Sequence, residues 1–125
     1  MAGIVVVGAG QAGASLVAKL RSLGYEGELT LVGAEAQPPY QRPPLSKAYL
    51  LGEMEEARLY LRPETFYAEQ EIALRLNAPV TGLNASARTL EIGGEVLAFD
   101  QLALTTGAIP NRLPAALGGD LDHVF

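Results

Sequence analysis

These 125 residues contain no cysteine and no tryptophan, and a single histidine, His123. Without cysteine the chain forms no disulfide, gives no thiolate to a metal and holds no cysteine nucleophile. One histidine with no second soft ligand gives no metal site, and none is assigned. A hydrolase needs a nucleophile and a base that converge; Ser15 falls inside an expected helix, and no histidine pairs with it. Positive charge is scarce: Lys and Arg number 9 against 14 Asp and Glu, for a net charge of −5. No nucleic-acid partner is expected from that balance. No apolar run reaches the ~18 residues of a membrane-spanning helix. The opening MAGIVVVGAG is short and lacks a basic leader, so it reads as a buried strand rather than a signal peptide. The expected location is the cytoplasm, with no membrane partner. Aromatics are few, and Tyr40, Tyr49, Tyr60 and Phe66 read as packing residues rather than a base-stacking surface.

What is present is apolar and ordered in pattern. Hydrophobic residues make up 49% of the chain, which excludes intrinsic disorder and allows one domain with a modest core. Gly3 to Val7 is a β-branched run ending at a glycine turn, as in a strand buried on both faces. A helix is predicted from Gln11, with Ala12, Leu16, Leu20 and Leu23 on one stripe and Gly24 as its stop. Glu28 to Val32 is a second strand, so the chain opens as β-α-β with parallel strands. Short helices are predicted near Ser46, in LSKAYLLGE, and over RPETFYAEQ, where Pro63 falls near the first turn. Glu71 to Leu76 predicts a third strand. PVTGLNA, ARTLEIGG and EVLAF read as a small antiparallel meander. A last apolar strand, QLALTTGA, ends at Gly107.

GAGQAG places Gly8, Gly10 and Gly13 in G-x-G-x-x-G spacing between a predicted strand and a predicted helix. Gly8 allows the tight turn, Gly10 lets the backbone approach a pyrophosphate, and Gly13 lets helix and strand pack closely. The helix N-terminus then offers unpaired N–H groups to the phosphates. The plainer alternative is a glycine-rich turn in another α/β fold. At the end of the second strand an acidic residue should meet a ribose. Glu35 is the candidate, 22 residues after Gly13; otherwise it is a solvated loop carboxylate. No basic residue lies near this strand end to favour a 2′-phosphate. The spacing does not separate NAD from FAD, since both carry an adenosine diphosphate.

Proline supplies four of the ten residues from Pro38 to Lys47, with Arg42 and Lys47 among them. Proline fixes φ and donates no hydrogen bond, and it pushes the preceding residue out of the helical region. The segment is therefore read as neither helix nor central strand, but as a stiff bend delivering a cation at its end. A plain structural turn is the alternative.

Taken together, the glycine fingerprint, PYQRPPLSKAYL and QLALTTGAIPNRLP resemble the FAD-dependent ferredoxin reductases of bacterial oxygenase systems, the putidaredoxin and rhodocoxin reductase family. The resemblance runs over essentially all 125 residues. It implies an α/β, Rossmann-like FAD-binding domain of the glutathione-reductase type, incomplete here. Residues 1–125 then form its N-terminal part, with the NAD-binding and C-terminal domains outside this sequence. It implies hydride transfer from NADH or NADPH to FAD, then electron transfer to an iron–sulfur ferredoxin.

Carried over by position, the resemblance places FAD against Gly8, Gly10, Ala12 and Gly13, and against Lys47, Val80, Thr106 and Gly107. Ala34 departs from the pattern: many relatives have Asp there, and alanine accepts no ribose hydrogen bond. Pro43, Pro44 and Arg42 accompany Lys47, the prolines as a rigid wall for the flavin ring. Arg42 otherwise braces the loop or meets the partner. Lys47 is the catalytic candidate, a cation that favours the reduced flavin, or else an exposed surface lysine. Related disulfide reductases carry a redox-active cysteine pair in the helix that reads LSKAYLLGE here, so a dithiol relay in this segment is excluded. A stand-alone nucleotide-binding module is the rival reading. Other flavoproteins of the same fold, such as rubredoxin or nitrite reductases or an apoptosis-inducing-factor-like NADH oxidase, are nearer rivals.

Overall fold

A computed structural model describes residues 3–109, 111 and 113–123. Pro110 and Arg112, in the quoted stretch after the last strand, lie outside the described residues, as do the two residues at each terminus. Strand β1 (Ile4–Val7) leads into helix α1 (Gln11–Ser22) and strand β2 (Leu29–Val32). After the proline segment come a short helix α2 (Glu64–Glu69) and β3 (Ile72–Arg75). Strands β4 (Val80–Asn84), β5 (Thr89–Ile92) and β6 (Glu95–Ala98) follow, then β7 (Gln101–Leu104).

Four strands form one sheet in the order β3-β2-β1-β7. All its pairings are parallel, with Val7 opposite both Val32 and Leu104. The other three form an antiparallel sheet in the order β4-β5-β6. The fold is thus α/β with a small antiparallel meander, as the sequence pattern predicts.

Alternation along β1 divides the core in two, because successive side chains point to opposite faces. Val5 and Val7 pack with Val32, Leu90, Ile92 and Phe99, joining the parallel sheet to the meander. Val6 packs with Val17, Leu29, Leu31, Tyr67 and Ile72, on the face covered by α1 and α2. Helix α1 ends as Gly24 predicts. Gly24 has φ +93°, its N–H donates to Arg21 O at 3.0 Å, and Tyr25 N–H donates to Leu20 O at 3.0 Å. This is a Schellman stop, which needs a left-handed residue just past the helix.

Four expectations need correction. The buried face of α1 runs through Gly13, Ala14 and Val17; Ala12 is exposed, and Leu23 is 72% exposed. The glycine sets this face, because the helix approaches the sheet where no Cβ intervenes. The predicted helix near Ser46 does not form. Pro43–Ser46 makes one 3-10 turn, and a run of irregular turns follows to Gly52. Lys47, at φ −130° and ψ −113°, leaves helical space there, and the two prolines supply no donors upstream. That same 3-10 turn means the proline segment is not wholly free of helical structure. Finally, β7 ends at Leu104 rather than at Gly107, because Thr105 turns its hydroxyl back onto β1.

Candidate nucleotide-binding site

In the parallel sheet β1 lies between β2, reached through α1 on one side, and β7, reached from the meander on the other. A cleft at the carboxyl ends of the strands is the expected outcome of such a switch point. One of about 870 Å³ is present. Three loops line it: Gly8 to Ala12 after β1, Gly33 to Glu35 after β2, and Leu104 to Ile109 at the end of β7, with Arg42 joining from the proline segment.

The glycines do different jobs. A Cβ on Gly13 would lie 2.0 Å from Gly8 O, so this glycine is what lets α1 sit on the loop. A Cβ on Gly8 would lie 2.1 Å from Thr105 O, and Gly8 has φ +110°, where a side chain is strained. A Cβ on Gly10 meets nothing within 4 Å; it would enter the cleft. Gly10 is the N-cap of α1 and supplies no side-chain cap, and no acidic residue occupies the first turn. The leading N–H groups of α1 are therefore open to an anion. These features fit a dinucleotide pyrophosphate.

Thr105, not singled out from the sequence, fastens the two strand ends. Its N–H donates to Val7 O at 2.8 Å, and its hydroxyl lies 3.0 Å from both Val7 O and Gly8 O. The TTG triplet at the strand end was its only signal.

At the far end of the cleft, Glu35 is half-exposed and engaged by two partners. Tyr40 Oη donates to Glu35 Oε2 at 2.8 Å, and Arg42 Nη2 donates to Oε1 at 3.0 Å. The Arg42 guanidinium also sits 5.0 Å from the Tyr40 ring centre and donates to Tyr40 Oη at 3.3 Å. The Tyr40 hydroxyl, with help from Arg42, holds the Glu35 carboxyl below the usual carboxylate range against a smaller opposing effect of burial. Burial first, then Glu35, pushes the Tyr40 phenol up. Arg42 is thus a brace for the loop and a wall of the cleft at once. The tyrosine was read as a packing residue; its place five residues after Glu35, between two proline pairs, was the available signal.

The other candidates divide. Gly8, Gly10, Ala12, Ala34, Thr106 and Gly107 line the cleft with Glu35 and Arg42. Gly13 packs beneath it. Val80 lines an adjoining hollow that shares Gly8, Ala34, Leu104 and Thr106 with the cleft. Pro43 and Lys47 are exposed and outside its lining. Lys47 Nζ turns back on its own bend, 3.4 Å from Pro43 O and from Ser46 Oγ. Among the described residues no helix is long and apolar enough to cross a membrane.

A parallel sheet, a glycine loop entering a helix and a cleft at the switch point define a nucleotide-binding α/β unit. The sequence profile of the pyridine nucleotide-disulphide oxidoreductases matches residues 2–125, and the chain belongs to that family. It is 41% identical over 122 residues to the rubredoxin-NAD(+) reductase of Pseudomonas putida, covering 97% of this chain and 31% of that protein. It is 43% identical over 122 residues to rhodocoxin reductase of Rhodococcus erythropolis, covering 97% and 28%. Among solved structures, putidaredoxin reductase in its covalent complex with putidaredoxin superposes with a TM-score of 0.85 at 41% identity. That match covers 91% of this chain and 28% of that one. The chain therefore spans roughly a third or less of the length of these relatives.

Proposed function

We propose that this chain is the N-terminal part of the FAD-binding domain of an NAD(P)H-dependent reductase that passes electrons to a small iron–sulfur protein, a ferredoxin of an oxygenase system. The NAD-binding and C-terminal domains belong to the rest of that protein. The observation that carries the reading is the uncapped helix N-terminus behind Gly10, opening onto a cleft large enough for an extended dinucleotide. The similarity to proteins named as rubredoxin and rhodocoxin reductases supports the reaction class.

In this reading Gly8, Gly10 and Ala12 hold the pyrophosphate, and Gly13 seats the helix beneath them. Glu35 and Arg42 hold the adenosine, with Ala34 contributing surface but no hydrogen bond. Val80, Thr106 and Gly107 wall the remainder of the site, and Pro43 and Lys47 approach it from the proline segment. The chemistry FAD supplies when bound is acceptance of a hydride and release of single electrons. Lys47, whose amine turns back on its own bend in this structure, would swing toward the cleft to place positive charge where negative charge gathers on reduction. The chain has no cysteine, so it contributes no dithiol relay. A reductase that consumes NAD(P)H works where the nicotinamide pool is, and we place it in the cytoplasm.

The test uses the full-length protein. Acid precipitation releases free yellow flavin into the supernatant. Anaerobic NADH or NADPH bleaches the bound flavin, and added oxidised ferredoxin restores its colour; rubredoxin in a parallel arm tests the nearest alternative acceptor. Flavin that neither nicotinamide bleaches, or that only a disulphide substrate reoxidises, overturns the proposal.

A further inference from the structure

A second hollow, of about 160 Å³, adjoins the nucleotide cleft across the side chain of Tyr40. Gln37, Tyr40, Tyr49, Tyr60, Glu56, Leu45 and Leu59 line it. The chain builds it from three short pieces. Tyr40 and Tyr60 face each other in an isolated antiparallel bridge, which sets their side chains side by side. Gln41 N–H donates to Leu59 O at 2.7 Å and Leu61 N–H to Pro39 O at 3.0 Å, locking that bridge. The 3-10 turn Glu56–Leu59 carries Glu56 to the rim and buries Leu59 at the base. The turn after Ser46 carries Tyr49.

The lining holds three phenol rings, one carboxylate and no cationic side chain. Withdrawal from water first, then the carboxylates of Glu56 and Glu64, pushes the Tyr60 phenol above its usual range. Arg42 covers the Tyr40 ring at 5.0 Å outside this lining, so the free phenol faces are those of Tyr49 and Tyr60. An anion would meet repulsion from Glu56. An uncharged apolar guest would gain nothing from the carboxylate.

We propose that this hollow is a binding site for a small organic ammonium ion, of the size and charge of a trimethylammonium head group. Such a cation makes no hydrogen bonds, and so it suits a wall of rings and leucines. It is attracted by aromatic rings through their electron distribution and by a nearby carboxylate through charge. The inference rests on the tyrosines and Glu56, and holds whether or not the neighbouring cleft takes FAD.

Calorimetric titration of the full-length protein with choline, at fixed ionic strength, tests it. The control ligand is choline's uncharged isostere, in which carbon replaces the nitrogen. Saturable choline binding is expected, with the isostere about tenfold weaker or more, the scale of a desolvated cation–ring contact. Glu56→Gln, at an exposed position that leaves folding intact, and Tyr60→Leu should each weaken choline severalfold. Equal affinity for choline and its isostere would mean an apolar niche only. Absence of saturable choline binding, or binding unchanged in both variants, also overturns the proposal.

Discussion

Two regions meet at the cleft, and different forces hold them. The first is the join of β1, α1 and β7, where backbone packs on backbone. Gly8, Gly13 and Thr105 approach so closely that a single added carbon would overlap a carbonyl, and Val5, Val6 and Val17 around them are fully buried. The second is the proline segment, anchored by the buried prolines Pro38 and Pro39 and by Leu59. The rest of it is held by side chains at the surface: Glu35, Tyr40 and Arg42 in one cluster, and Lys47 bonded to its own turn. Packing of the first kind is specific and intolerant. Surface polar contacts of the second kind are weak in stability but able to place charge. The cleft thus has one wall fixed by shape and another adjusted by electrostatics.

Methyl groups on two glycines of the same fingerprint give the largest expected effect. Gly13→Ala places a Cβ against Gly8 O and should cost about 3 kcal/mol or more of stability, in the upper range for overpacking. Gly10→Ala sits at φ −95° with open space around it, so stability should change by less than about 0.5 kcal/mol. FAD affinity should nevertheless fall about tenfold or more, since the methyl enters the space the pyrophosphate would use. Thermal unfolding and flavin titration of both variants in the full-length protein separate the two outcomes. Equal destabilisation would show that the loop is not divided into a packing glycine and a binding glycine.

Lys47→Met probes the proline segment, whose lysine must swing its amine out of its own bend to act on the flavin. Removing the cation should slow flavin reduction by NADH about tenfold and lower the flavin midpoint potential, on the scale of about 1–3 kcal/mol for a charged hydrogen bond. Flavin content should be preserved. Stopped-flow and potentiometry check it, with Arg42→Met as the comparison. An effect from Arg42→Met alone would assign the electrostatic role to the residue that already lines the cleft.

The first wall was legible in the sequence and the second was not, for a physical reason. A β-branched run, three glycines at fixed spacing and an apolar helix are local patterns, and local sterics turn them into β1, the loop and α1. The parallel pairing of β1 with β2 follows from the crossover through α1 and its handedness, whereas β7 reaches β1 only after the long excursion through the meander. The proline segment obeys no period. Its conformation depends on which distant residue each side chain meets, and the Tyr40 hydroxyl finds Glu35 only because β2 and Tyr60 bring them together. Composition foretold stiffness, but neither the 3-10 turn at Pro43–Ser46 nor the direction taken by Lys47. Ala12 shows the limit even in the first wall: its place on the helical stripe suggested the core, whereas it is exposed and lines the cleft.

A smaller effect tests whether the well-packed side is free of flaws. Among the described residues the Tyr67 hydroxyl is buried with no hydrogen-bond partner, on the α1 face of the sheet. Burial pushes its phenol up. An unpaired buried hydroxyl keeps its desolvation cost, so Tyr67→Phe should be neutral or stabilising by up to about 1 kcal/mol. A loss of stability on thermal unfolding would mean that the hydroxyl has a partner in solution.

The smallest effect concerns Glu35. Its carboxyl is held below the usual range, chiefly by the Tyr40 hydroxyl and then by Arg42. A carboxyl whose value is depressed on folding stabilises the folded state above the ordinary carboxylate range. That contribution is lost as pH falls through the lower, folded value. Both side chains of the ion pair are about half exposed, so solvent screening limits the contribution to below about 0.5 kcal/mol. The titration itself is the better measure. In Tyr40→Phe the carboxylate keeps Arg42 but loses its largest stabilising contact, so the Glu35 titration, followed by carboxyl NMR, should move up toward the ordinary range. Arg42→Met should also move it up, and the double variant further than either. If Tyr40→Phe leaves the titration where it was, the tyrosine does not tether the proline segment to the end of β2. The second wall would then rest on its buried prolines alone, held by packing like the first.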